Sequence, residues 1–161
     1  GDAVGPVFPG FDYASENGAR AAWLNVDGDT PPFAVYFNGG CYFESGGGKL
    51  SSSSPKQSEV GKGSMAGVTA RYANSNGNGN SSEMAAAAVV HRKIGRGAAV
   101  LCGVHPEFIP SIMIGANEKQ DLAGGEETKS SSCRKGMLQT LAQCDAARVG
   151  FLQTILRLAG L

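Results

Sequence analysis

The stretch that decides the fold is residues 87–108, AAVVHRKIGRGAAVLCGVHPEF. Two apolar runs, residues 87–94 and 98–104, flank Gly95-Arg96-Gly97. Short runs rich in Val and Ile, split by a glycine turn, read as a pair of strands. The second run delivers His105-Pro106-Glu107 at its C-terminal end. Side chains two apart on an extended chain point the same way, so continued extension puts His105 and Glu107 on one face. Pro106 has no N–H for a ladder and fixes its own φ, so regular pairing should stop there. A histidine and a carboxylate at a strand end suit a base and the group that orients it.

Working outward, residues 19–26 alternate and predict a strand, and residues 33–37 and 41–43 predict two more. Asn38-Gly39 between the latter two is a hairpin signal. Asn38-Gly39-Gly40 turns the chain on this reading; the alternative is that its free amides line a site. Residues 68–73 predict another short strand. Residues 1–18 are punctuated by Pro6, Pro9 and Asn17-Gly18 and predict an irregular segment, with Phe8, Phe11 and Tyr13 packed on the domain. Residues 45–64 and 74–82 are Gly/Ser/Asn-rich and predict mobile loops inserted at strand ends, as does the polar stretch 117–132. A helix is expected to start near Pro110, and a helical turn or two within residues 134–144. Asp145 is expected to cap a final helix ending at Gly160, with Val149, Leu152, Leu156 and Ala159 as its core stripe and Phe151, Ile155 and Leu158 widening it.

Composition narrows the function. The 161 residues suit one domain, 42% of them hydrophobic, yet 24 are glycine, about twice the usual share. Fourteen basic residues balance fourteen acidic ones, which leaves no electrostatic case for nucleic acid or an anionic membrane as partner. No apolar run approaches a membrane span, and no signal peptide opens the chain. Cys41, Cys102, Cys133 and Cys144 are widely spaced without a CxxC pair, so no metal site is expected. Free thiols in the cytoplasm are the expectation that follows. Gly61-Lys62-Gly63 lacks P-loop spacing, so no nucleotide cofactor is expected. His91 reads as a half-exposed sheet histidine without a role, and Arg92, Lys93 and Arg96 as a solvated basic cluster.

A strand ending in Gly-Val-His-Pro-Glu resembles the histidine–glutamate end of class I glutamine amidotransferases. The ordered set Ala19-Arg20-Ala21, Tyr36-Phe37-Asn38-Gly39-Gly40, Ala70-Arg71-Tyr72, Gly95-Arg96-Gly97 and Gly103 to Phe108 resembles the amidotransferase-like N-terminal domain of fungal-type biotin-protein ligases, and residues 148–161 are similar to the helix that closes it. The resemblance implies an α/β, three-layer, flavodoxin-like fold, of which residues 1–161 are the C-terminal part. It also implies that the first strands and the nucleophile belong to a preceding segment or a second chain. In that family the His–Glu pair activates a cysteine on a sharp strand-to-helix elbow. No Gly-x-Cys-x-Gly elbow occurs here. Cys102 lies three residues before His105, hence on the opposite face and expected in the core. Cys41 follows the Asn-Gly-Gly turn; its expected place is a buried strand, and it is the weak candidate for a nucleophile. His105 and Glu107 are thus the candidate catalytic residues, conditional on a nucleophile. The glycine- and arginine-rich biotin-adenylate motif of a ligase catalytic domain is absent as well. The leading expectation is a non-catalytic binding or regulatory domain. The alternative is a Cys-His-Glu amidotransferase or hydrolase completed from outside this chain.

Overall fold

The computed structural model describes residues 2–5, 7, 8, 18–26, 30–44, 67–73, 86–122 and 129–161. Among the described residues seven strands come first and three helices after them; the strands are β1 (Asp2–Val4), β2 (Arg20–Val26), β3 (Phe33–Phe37), β4 (Tyr42–Glu44), β5 (Gly67–Tyr72), β6 (Ala87–Ile94) and β7 (Gly97–Cys102). The helices are α1 (Pro110–Leu122), α2 (Lys129–Gln143) and α3 (Asp145–Ala159). The strands form one sheet in the order β1-β4-β6-β5-β2-β3, with β7 also on β6. The described part is therefore mixed in α and β content, with the strands segregated before the helices rather than alternating with them as the expected α/β class would have it. Every pairing between the described strands is antiparallel.

β6 is the hub. It holds β5 along one edge, while β7 and then β4 share the other: Val89 faces Cys102, and Ala87 faces Phe43. The β6–β7 hairpin turns at Gly95, whose φ of 59° lies in the left-handed region that glycine enters without penalty. β6 is buried in its first half and exposed toward the hairpin tip, where Arg92 and Lys93 meet water.

β3 is buried at all five positions because both of its faces are covered. Phe33, Val35 and Phe37 point into the main core with Ala22, Leu24, Ala70, Tyr72, Ala88, Val89, Val104 and Phe151 of α3. Ala34 and Tyr36 point the other way, to Leu141 of α2, with Trp23, Met113 and Met137 around them. Strands covered on both faces read as unbroken apolar runs, as Phe-Ala-Val-Tyr-Phe does.

Several expectations are corrected. Residues 1–18 are not wholly irregular: β1 pairs with β4 and so lies along an edge of the sheet. Phe8 packs edge-on against Phe37 and Tyr72, at centroid distances of 4.9 and 5.7 Å. Phe11 and Tyr13 lie outside the described residues, as do the expected mobile stretches 45–64 and 74–82. The hairpin expected at Asn38-Gly39 does not form, because β3 pairs with β2 and β4 with β1 and β6. β7 stops at Cys102, two residues short of the apolar run. The stretch 117–132 is not a loop throughout. α1 runs through Asn117, which is buried, to Leu122, and α2 starts at Lys129. The helix within residues 134–144 is fifteen residues long. α3 has Cys144, not Asp145, at its N-cap position, with no side-chain cap bond. Of the expected stripe Phe151 is buried and Ile155 packs on the core, while Val149 and Leu156 are exposed and Arg148 is buried, so the helix is rotated from the line through Val149 and Leu156. Gly160 ends it in the left-handed conformation, as expected.

Candidate functional site

After Cys102 the chain leaves the ladder and crosses the sheet's end. Gly103 N–H donates to the Ala88 carbonyl at 2.9 Å, and two residues later His105 N–H donates to the Tyr36 carbonyl of β3 at 2.8 Å. The crossing needs two glycines. A Cβ on Gly40 would lie within contact distance of the Gly103 carbonyl, and a Cβ on Gly103 would meet the Cys41 carbonyl. The Tyr72 hydroxyl lies between these segments, 2.8 Å from the Cys41 carbonyl and 2.9 Å from that of Gly103, donating to the two in shared fashion. Burial pushes the Tyr72 phenol well above its ordinary range. Burial likewise raises Tyr36, so both stay neutral donors at physiological pH.

His105 and Glu107 then stand on a turn rather than a strand, which Phe108 N–H closes on the His105 carbonyl at 3.4 Å. Their side chains meet: His105 Nδ1 is 2.8 Å from Glu107 Oε1. A carboxylate only accepts, so Nδ1 donates and the second ring nitrogen, Nε2, carries the lone pair. Among the described residues Nε2 has no hydrogen-bond partner. The imidazole lies beside Tyr36 at 6.1 Å and edge-on to Phe108 at 5.5 Å. The pair is accessible, with the two side chains 38% and 59% exposed. An ion pair or charge-assisted bond at such exposure contributes roughly 0–1 kcal/mol, too little to hold two side chains in one geometry. The turn's backbone anchors must therefore supply the order.

One anchor comes from α3. Arg148 is 5% exposed. Its Nη1 donates to the Pro106 carbonyl at 2.6 Å, and its Nε to Asp145 Oδ1 at 2.7 Å. The sequence places Arg148 in the final helix and assigns it no role. The Asp145/Arg148 spacing of three is a readable helix pair; its reach to a turn elsewhere in the chain is not. Asn38, expected as part of a turn, carries a feature that the sequence does not show. Its Oδ1 is buried without a partner at the end of β3.

The cysteines stay apart from the dyad. Cys102 is not in the core. The residue keeps open surface, while its thiol turns back to the Val104 carbonyl at 3.1 Å. Burial of the thiol, with a smaller contribution from the charge of Glu107, pushes its pKa up to about 11, which leaves little thiolate at neutral pH. Cys41 is half-buried in the turn just before β4, not within a strand. Cys133 is exposed and Cys144 half-buried. Among the described residues no cysteine hydrogen-bonds to His105. No group of three His, Cys, Asp or Glu among them is arranged to hold a metal ion, and no helix is long and apolar enough to cross a membrane. His91 is half-exposed on the sheet, Nδ1 at 3.0 Å from Thr69 Oγ1.

Comparison with known proteins gives four results. A family model described as biotin-protein ligase, N terminal, matches residues 1–161. The chain is 38% identical over 111 residues to a biotin–protein ligase of Schizosaccharomyces pombe (strain 972 / ATCC 24843), covering 67% of this chain and 14% of that protein. It is 34% identical over 143 residues to an uncharacterized protein of Chlamydia muridarum (strain MoPn / Nigg), covering 88% of this chain and 47% of that protein. The chain thus spans less than half the length of either relative. No solved structure matches.

Proposed function

The chain belongs to the biotin-protein ligase N-terminal family, and from that premise we propose that it is a binding or regulatory amidotransferase-like domain with no turnover of its own. One observation carries this reading. His105 meets its orienting carboxylate at 2.8 Å, yet no cysteine among the described residues bonds to it. Removing the nucleophile from such a unit abolishes most of its function. The biotin-adenylate motif of a ligase catalytic domain does not occur in these residues, which supports a role other than ligation for them. The flavodoxin-like architecture is part of the proposal. Its parallel strands and elbow would come from a preceding segment or a second chain and join the antiparallel part seen here. The location belongs to the proposal too: four widely spaced cysteines without a CxxC pair suit a reducing compartment, in our reading the cytoplasm.

The second reading is a Cys-His-Glu amidotransferase or hydrolase whose nucleophile is supplied from outside. The preformed His105–Glu107 bond favours it, since a dyad without a task has no need of that geometry.

Both readings expect the isolated chain to be inert. Incubated with glutamine and with simple esters and thioesters, it should hydrolyse none above background, and His105→Ala and Cys41→Ala should change nothing. Turnover lost in both variants, or iodoacetamide labelling of Cys41 that depends on His105, would overturn the first reading. Adding a segment or chain that bears a Gly-x-Cys-x-Gly elbow separates the two. Turnover that appears on addition and is lost in His105→Ala establishes the second.

A further inference from the structure

We infer that Arg148 is the positioning residue of the His105–Glu107 pair: by holding the Pro106 carbonyl it fixes the peptide between them and so sets which nitrogen of His105 carries the proton. The inference rests on reading the pair as a base and its orienter, and it deepens that reading.

The argument starts from what the turn lacks. His105 is tied down by its N–H on Tyr36, and the turn closes only through a 3.4 Å bond from Phe108. Pro106 has no N–H to offer and can be held only through its carbonyl. That carbonyl takes the shortest bond at the site, 2.6 Å from Arg148 Nη1. The peptide it belongs to joins Pro106 to Glu107, so its orientation decides where the Glu107 side chain leaves the backbone. Rotating it would carry the carboxylate off Nδ1. Imidazole would then fall back on its intrinsic preference for a proton on Nε2, and the lone pair would no longer be there.

The anchor is stiff for a physical reason. A guanidinium is a planar fork that spans two acceptors, and here Asp145 Oδ1 and the Pro106 carbonyl occupy it together. A buried arginine without such partners would be costly, so Arg148 has every reason to stay where both acceptors are. A residue that merely pinned α3 to the sheet would need no bond to this carbonyl among all those nearby.

The test reads the tautomer, not activity. The chain has two histidines, and His91, bonded to Thr69, serves as the internal reference. With 15N-labelled histidine at neutral pH, wild-type His105 should show a protonated Nδ1 and an unprotonated Nε2. Arg148→Met should lower the Nδ1–H to Nε2–H ratio about fivefold, the weight of one modest hydrogen bond, while His91 stays unchanged. Arg148→Gln, which keeps a donor but is too short to span both acceptors, should move it the same way. Circular dichroism first establishes that each variant is folded, and the Gln variant decides if the Met variant is not. A folded variant with the wild-type His105 ratio overturns the inference. Glu107→Ala separates the two failures. If it leaves His105 unchanged, the base–orienter reading falls. If it shifts His105 and the Arg148 variants do not, only the role of Arg148 falls.

Discussion

At the scale of single residues, Tyr72 shows how much one hydroxyl can organise. It ties the turn after β3 to the crossing after β7, and removing it leaves the Cys41 and Gly103 carbonyls short of a donor. Tyr72→Phe should lower stability by about 1–3 kcal/mol at neutral pH, measured by urea unfolding. A pH dependence follows as well. The folded-state pKa is raised above the unfolded value of about 10, so between those values the native state binds more protons. Stability should be full below pH about 10 and fall above it, by at most about 1.4 kcal/mol per pH unit from this group. The fall should be shallower in Tyr72→Phe, though not gone, since Tyr36 and Cys102 shift in the same direction. Equal alkaline slopes in the two proteins would show that Tyr72 is not the group responsible. None of this was legible in the sequence, where Ala70-Arg71-Tyr72 stood only as a block of family resemblance.

At the scale of elements, the existence and type of most segments could be read, and their orientation could not. β3 and β6 fall where apolar patterning put them, because each is long enough and apolar enough to leave no alternative. α3 was expected, and so was its left-handed glycine stop. Its rotation is not legible because the expected stripe is drawn through apolar residues alone. An arginine bonded to the buried Pro106 carbonyl and to the half-exposed Asp145 carboxylate takes a core position instead. The polar opening of α2 was mistaken for loop, since its amphipathic signal starts only at Met137 and Leu138. The rotation of α3 is open to measurement. Phe151 packs on Phe33 at 5.4 Å, whereas Val149 is exposed. Phe151→Ala should cost about 3–5 kcal/mol, and Val149→Lys should stay within about 0.5 kcal/mol. Comparable losses in both would restore the stripe read from the sequence.

At the scale of the molecule, the two apolar clusters share their strands. β2 sends Ala22 and Leu24 to one and Ala21 and Trp23 to the other. They should therefore melt together. Trp23 is the only tryptophan, so its fluorescence reports the α2 side while far-ultraviolet circular dichroism reports the whole. The two urea transitions should coincide; separate midpoints would mean that the α2 side unfolds alone. Neighbouring strands were the least legible feature. The Asn38-Gly39 signal is genuine as a turn, with Gly39 at φ 74°, but it sends the chain to a new partner because Gly40 must press against Gly103. The dyad was legible as residues, through the resemblance and the spacing, while the arginine that anchors its turn was not. The glycine crossing has a consequence for folding speed and for sequence drift. Gly40 and Gly103 meet only after all the chain between them has been closed into a loop, and that entropy is spent before the contact returns anything, so folding should be limited by this closure. The cost of a loop grows only with the logarithm of its length, about 0.6 kcal/mol per doubling. The chain between the two glycines can therefore change in length at little expense to this closure, provided that the two glycines at the crossing stay glycine.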